Sequence, residues 1–124
     1  FYLDESIYSK VLLAAMRAAG ATVEHVRGAI PAGLQDVEWL AIVGRKRWVA
    51  VMRDQAIRRR KLERQALKSA EVAAFVYTGG QASAQETAEA IVPRLAKMAA
   101  IVRSERRPFL WGITRGGSLT KIPL

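Results

Sequence analysis

The sequence predicts an α/β fold, three layers deep (α/β/α), around a central, mostly parallel sheet of about five strands. Three observations carry this. Short β-rich or apolar runs alternate with segments of helical periodicity along the whole chain. The runs Trp48 to Met52, Val72 to Tyr77 and Phe109 to Thr114 are nearly continuous in apolar residues, as strands buried on both faces are. Glycine, proline or a capping residue separates consecutive elements.

In chain order, Phe1 to Asp4 is too short for a helix and reads as a strand. Ser6 is a candidate cap for the next helix, where Leu12, Ala15, Met16 and Ala19 recur at helical spacing before Gly20. Thr22 to Val26 reads as a second strand and GAIPAG (28–33) as a loop. Asp36 opens a second helix, with Leu40 and Val43 on its apolar face, that is expected to stop at Gly44. Trp48 to Met52 is the third strand, Leu62 to Ala70 a helix, and Val72 to Tyr77 the fourth strand, closed by Gly79 and Gly80. Ser83 and Glu86 form a capping-box pair. The apolar face after it, Ala84, Ala88, Ile91, Leu95, Met98 and Val102, contains Pro93, which predicts a kink or break. Phe109 to Thr114 is the fifth strand, and Arg115-Gly116-Gly117 turns into a last short strand, Leu119 to Ile122.

Residues 1–124 read as a single domain, with no repeat and no linker. Twenty Lys and Arg against 11 Asp and Glu give a net charge of +9. That balance points to a polyanionic partner, RNA or DNA before an acidic protein. The absence of cysteine excludes disulfides, thiolate metal sites and thiol catalysis. The single histidine, His25, cannot form a histidine cluster and reads as a satisfied structural residue. No stretch approaches the ~20 apolar residues of a membrane span. FYLDES lacks the basic and apolar regions of a signal peptide, so a cytoplasmic protein with no membrane association is expected.

The acids fall where such a fold places ligands, beyond the carboxyl ends of the strands. Asp4 ends strand one, Asp54 follows strand three, and Asp36 starts the helix between strands two and three, with Glu5 and Glu38 beside them. Converging carboxylates repel, and a divalent cation resolves the conflict. With neither Cys nor a His cluster, the expected ion is a hard one, Mg²⁺ or Mn²⁺. Such a metal can activate water and hold a phosphodiester for in-line attack. Each acid also has a structural reading: Asp36 as a helix cap, Glu38 as a first-turn acid, Asp54 as a partner of Arg53 or Arg58. An acid directly after FYL, Asp4, has fewer structural uses.

Arg53, Arg58, Arg59, Arg60 and Lys61 flank Asp54. A charge run is by default a solvated helix face, but beside a metal its guanidiniums would grip phosphates. Trp48 and Trp111, in apolar strands, read as core, whereas Trp39 could be core or a base-stacking residue.

FYLDES, LQDVEWL and WVAVMRDQAIRRRKLERQAL resemble the PIN-like domains of VapC-type toxins, and the resemblance runs on to the closing PFLWGIT. It implies a PIN-like fold and a Mg²⁺- or Mn²⁺-dependent endoribonuclease, the toxin of a type II toxin–antitoxin pair. RNA and a cognate antitoxin are the implied partners, and a homodimer is compatible with the apolar content. Asp4, Asp36 and Asp54 would be the catalytic metal ligands, with Glu5 and Glu38 at further acidic positions of the motifs. Two positions depart from the pattern: Met52 stands where Thr is common, and Ala56 where many relatives carry a second acid. These departures define one alternative, a PIN-like module that binds RNA and has lost cleavage. A receiver-like signalling domain is another, since Asp4-Glu5, Asp54 and Thr78 imitate its layout. Thr114-Arg115 in place of the required Lys, and the charge of +9, fit a receiver poorly.

Overall fold

The structure, a computed structural model, describes residues 1–25, 36–53 and 61–124, with residues 36 and 37 described by their backbone alone. Its elements are β1 (Tyr2–Leu3), α1 (Lys10–Ala18), β2 (Glu24–His25), α2 (Asp36–Lys46), β3 (Val49–Arg53) and α3 (Lys61–Ser69), followed by β4 (Ala73–Tyr77), α4 (Ala84–Ile91), a 3₁₀ turn (Val92–Arg94), α5 (Leu95–Ser104), β5 (Phe109–Ile113) and β6 (Leu119–Ile122). They form one six-stranded sheet in the order β2-β1-β3-β4-β5-β6. All pairings are parallel except β5 with β6, which is antiparallel.

Alternation along the strands sends side chains to two separate cores. On one face, Leu3, Val51, Phe75 and Tyr77 pack with Leu12 and Met16 of α1, Ile91 of α4 and Met98 of α5. Phe75 meets Phe109 edge to face, with ring centres 5.8 Å apart. On the other face, Tyr2, Ala50, Met52, Ala74 and Val76 pack with Trp39, Leu40 and Val43 of α2 and Leu67 of α3. The chain is therefore a three-layer α/β/α protein, as its alternating pattern predicts, with the sheet extended by the antiparallel β6.

Several local expectations change. Ser9, not Ser6, caps α1: its side chain accepts from the Leu12 N–H at 3.0 Å. Ser6 is held elsewhere, by Asp4. The second helix does not stop at Gly44 but continues to Lys46. A Cβ at Gly44 would lie 2.3 Å from the Ala70 carbonyl oxygen, so this glycine lets α2 approach the end of α3. Trp39 is core, at 5% exposure. Trp48 and Trp111 are only partly buried against the two clusters. Pro93 does break its helix, in the 3₁₀ turn between α4 and α5.

The capping box at α4 forms in both directions, Glu86 N–H to Ser83 Oγ and Ser83 N–H to Glu86 Oε1, each 3.1 Å. The other carboxylate oxygen of Glu86 accepts from Arg115, beyond β5. The Arg115 hydrogen bond, then those from Ser83 and the Arg115 charge, hold the Glu86 carboxyl at about 2, below its ordinary 4.5. Because the folded-state value is depressed, the stability that Glu86 contributes is present above its ordinary range and is lost as pH falls toward about 2. In a carboxyl-carbon NMR titration Glu86 should still be ionised at a pH where exposed glutamates are protonated. Arg115→Gln should move its midpoint back toward 4.5; an unmoved midpoint would mean that the capping box alone depresses it.

Candidate active site

The strand order reverses between β1 and β3. From β1 the chain crosses to β2 on one side, and from β2 it returns to β3 on the other. That switch point leaves a crevice beyond the carboxyl ends of β1 and β3. Asp4 sits on it, its N–H donating to the Val51 carbonyl at 3.0 Å as the last rung of the β1–β3 ladder. Since α2 returns the chain to the start of β3, its first residue, Asp36, begins at the carboxyl edge of the sheet. β3 ends at Arg53. Asp54, Arg58, Arg59 and Arg60 lie outside the described residues, as does the side chain of Asp36.

Asp4 is oriented by its own turn. Ser6 N–H and Ser6 Oγ both donate to Asp4 Oδ2, at 3.1 and 2.6 Å. An acid whose side chain accepts from the second residue on is an Asx turn. Among the described residues no donor reaches the other oxygen, Oδ1. The Ser6 hydroxyl in turn accepts from the Arg53 N–H at 3.1 Å, which links the turn after β1 to the last residue of β3.

Arg53 has its guanidinium directed into the protein. Nε donates to the Ser6 carbonyl at 3.2 Å, Nη1 to the Gly80 carbonyl at 2.8 Å and Nη2 to Thr87 Oγ1 at 3.4 Å. The group lies 5.4 Å from the centre of the Tyr77 ring. It therefore braces the turn after β1, the loop after β4 and the first turns of α4 against one another. Lys61, at the start of α3, is exposed, and so are Glu5 and Glu38.

The acids reach inward electrostatically. Burial first, and then the charges of Asp4 and Glu5, push the Tyr2 phenol well above its ordinary range. His25, at the end of β2, stacks on Tyr8 with ring centres 4.8 Å apart. Its Nδ1 is buried with no hydrogen-bond partner among the described residues.

The donor chemistry fits a hard divalent cation: carboxylates at a crevice, an Asp4 oxygen open to a ligand, and no thiol. Among the described residues, however, no three acidic or imidazole groups gather closely enough to hold a metal. Asp4 is anchored by the turn after β1, and α2 begins at Asp36. The residue that sequence reading missed is Ser6. The spacing D-x-S signals its Asx turn, but nothing local signals its bond to Arg53, which spans 47 positions.

A doubly wound α/β protein with acids at its switch point is the class this geometry defines. The model of the PIN-like domain family matches residues 1–79, well over half of the chain, and the chain belongs to that family. No curated protein and no solved structure matches it. The matched stretch runs from β1 through β4 and contains the candidate site residues Asp4, Glu5, Asp36, Glu38, Asp54 and the basic run to Lys61. The order β2-β1-β3-β4-β5 is also that of receiver domains, so strand order does not separate the two. Membership of the PIN-like family does, and it sets the receiver-like alternative aside.

Proposed function

We propose that the protein is a Mg²⁺- or Mn²⁺-dependent endoribonuclease and the toxin of a VapC-type toxin–antitoxin pair. The observation that carries this reading is Asp4, a carboxylate fixed through one oxygen at the switch point of a PIN-like fold, with Asp54 next in sequence after β3. Asp4, Asp36 and Asp54 hold the cation, and Glu5 and Glu38 add negative charge at the same edge. When bound, the cation supplies Lewis-acid stabilisation and an activated water. Ser6 holds Asp4 through Oδ2 and leaves Oδ1 for the cation. Arg53 holds the surrounding loops in place. Arg58, Arg59, Arg60 and Lys61 take the phosphates next to the scissile one. A cognate antitoxin would inhibit the enzyme. Among the described residues no helix is long and apolar enough to cross a membrane.

One observation favours a second reading. Met52, at the position where relatives carry Thr, is buried in the α2–α3 core and offers no hydroxyl to the site. With Ala56 also lacking a carboxylate, the protein could bind RNA without cutting it. The test is cleavage of several RNAs in Mn²⁺ or Mg²⁺, with EDTA and Asp54→Asn as controls. Loss of activity in both controls is the expected result. Binding without cleavage by the wild-type protein would establish the second reading. Cleavage that survives Asp54→Asn would move the active site elsewhere.

A further inference from the structure

The amino-terminal edge of the sheet, opposite the acids, carries a second concentration of positive charge. Arg45 and Lys46 end α2, Arg47 turns the chain into β3, and Arg106 and Arg107 precede β5. Arg107 donates Nη1 to the Trp48 carbonyl at 3.2 Å and Nη2 to the Arg47 carbonyl at 3.3 Å. These bonds join the two basic turns. Arg47 has a φ of 55°, in the left-handed region that arginine seldom adopts. Lys46 Nζ lies 5.2 Å from the centre of the Trp48 ring, which is partly exposed.

Among the described residues none of these five cations forms an ion pair. Of the acids on neighbouring turns, Glu105 is bound to Lys121, and Glu71, before β4, is exposed. Arg45 and Lys46 complement the dipole at the end of α2, which is a structural use. Arg107 also has a structural use, in its bonds to the Trp48 and Arg47 carbonyls, whereas the side chains of Arg47 and Arg106 make no hydrogen bond or ion pair among the described residues. Burial, and then the Arg47 charge, pull the Arg107 pKa down from its ordinary value. Basic side chains gathered at one edge without an acid partner suit an anion from outside.

We propose that this edge is a second contact surface for single-stranded RNA, one that grips backbone phosphates. The two edges are separated by the five residues of β3, about 16 Å at ~3.3 Å per residue. Trp48 is stacked on Tyr2, ring centres 5.8 Å apart, so the basic side chains and not the ring carry the contact, and guanidiniums suit the phosphates of the RNA proposed above as ligand. The inference rests on RNA being the ligand, as proposed above, but not on cleavage.

The test is fluorescence anisotropy of a labelled oligouridylate in EDTA, across a salt series. It compares wild-type protein with a variant carrying R45Q, K46Q, R47Q and R106Q. Arg107 is kept because it ties the turns together. If two or more of the four cations grip phosphates, the slope of log K against log salt should flatten by about 1.4 or more, at ~0.7 per phosphate released. Far-UV circular dichroism and thermal melting should match the wild type. A more conservative set, R45K, R47K and R106K, should keep the wild-type slope, which separates charge from folding. Equal slopes in wild type and the glutamine variant would overturn the proposal. Binding to polyglutamate, abolished in the glutamine variant and without comparable RNA binding, would assign the edge to an acidic protein and also overturn it. If the slope flattens yet the wild-type protein cuts no RNA, this inference stands and the nuclease reading falls. If the protein cuts RNA and the slopes are equal, the reverse holds.

Discussion

Asp4→Asn should lose metal-dependent cleavage by about a thousandfold or more, if the cation contributes several kcal/mol to the reaction. The fold should survive. An asparagine carbonyl can still accept from the Ser6 N–H and hydroxyl, so the turn after β1 keeps its bonds. What disappears is the negative charge of the carboxylate, whose Oδ1 takes no donor among the described residues. Ser6→Ala should act more mildly, because it leaves the carboxylate and removes only its orientation. Groups that orient metal ligands in this way are worth about 10–100-fold in metal affinity. Mn²⁺ titration followed by electron paramagnetic resonance reads both variants without relying on activity. Activity of Asp4→Asn within tenfold of wild type would remove Asp4 from the site.

Arg53→Met should lower stability by about 2–4 kcal/mol. The methionine keeps much of the apolar stem but loses three hydrogen bonds from a charged group. Such bonds are worth about 1.5–3 kcal/mol each when protected, and the bond to Gly80 is exposed, which reduces its share. Urea midpoints would measure the loss. Hydrogen exchange would locate it, since amides of the turn after β1 and of the loop before α4 should exchange faster while those of β4 stay protected. If only stability changes and Mn²⁺ affinity does not, Arg53 serves the fold and not the site.

The architecture was legible because parallel strands buried on both faces write themselves as apolar runs, and because the Ser83–Glu86 box and Pro93 act on their own neighbours. What escaped sequence reading depends on distant partners. Gly44 resembles a helix terminator until Ala70 is seen against it. Ser6 and Ser9 are equally good caps by residue type, and only the claim of Asp4 on Ser6 decides between them. The place of Asp4 at the end of β1 was readable. The Ser6–Arg53 link was not, because it follows from the register that sets Leu3 beside Val51. Arg53 looked like a phosphate-binding residue because its neighbours in sequence are basic, whereas in the fold its nearest acceptors are carbonyls.

The two borders of the sheet have a bearing on how copies of the chain could meet. At one border β2 is only two residues long. At the other, β6 is four residues long, carries Lys121 tied to Glu105, and is followed by Pro123. Short strands, lysine and proline are the devices by which proteins keep an open sheet from templating another. Among the described residues neither border presents a long row of free amides and carbonyls. Growth of the sheet from one molecule into the next is disfavoured, and any self-association has to run through side chains rather than through shared backbone pairing.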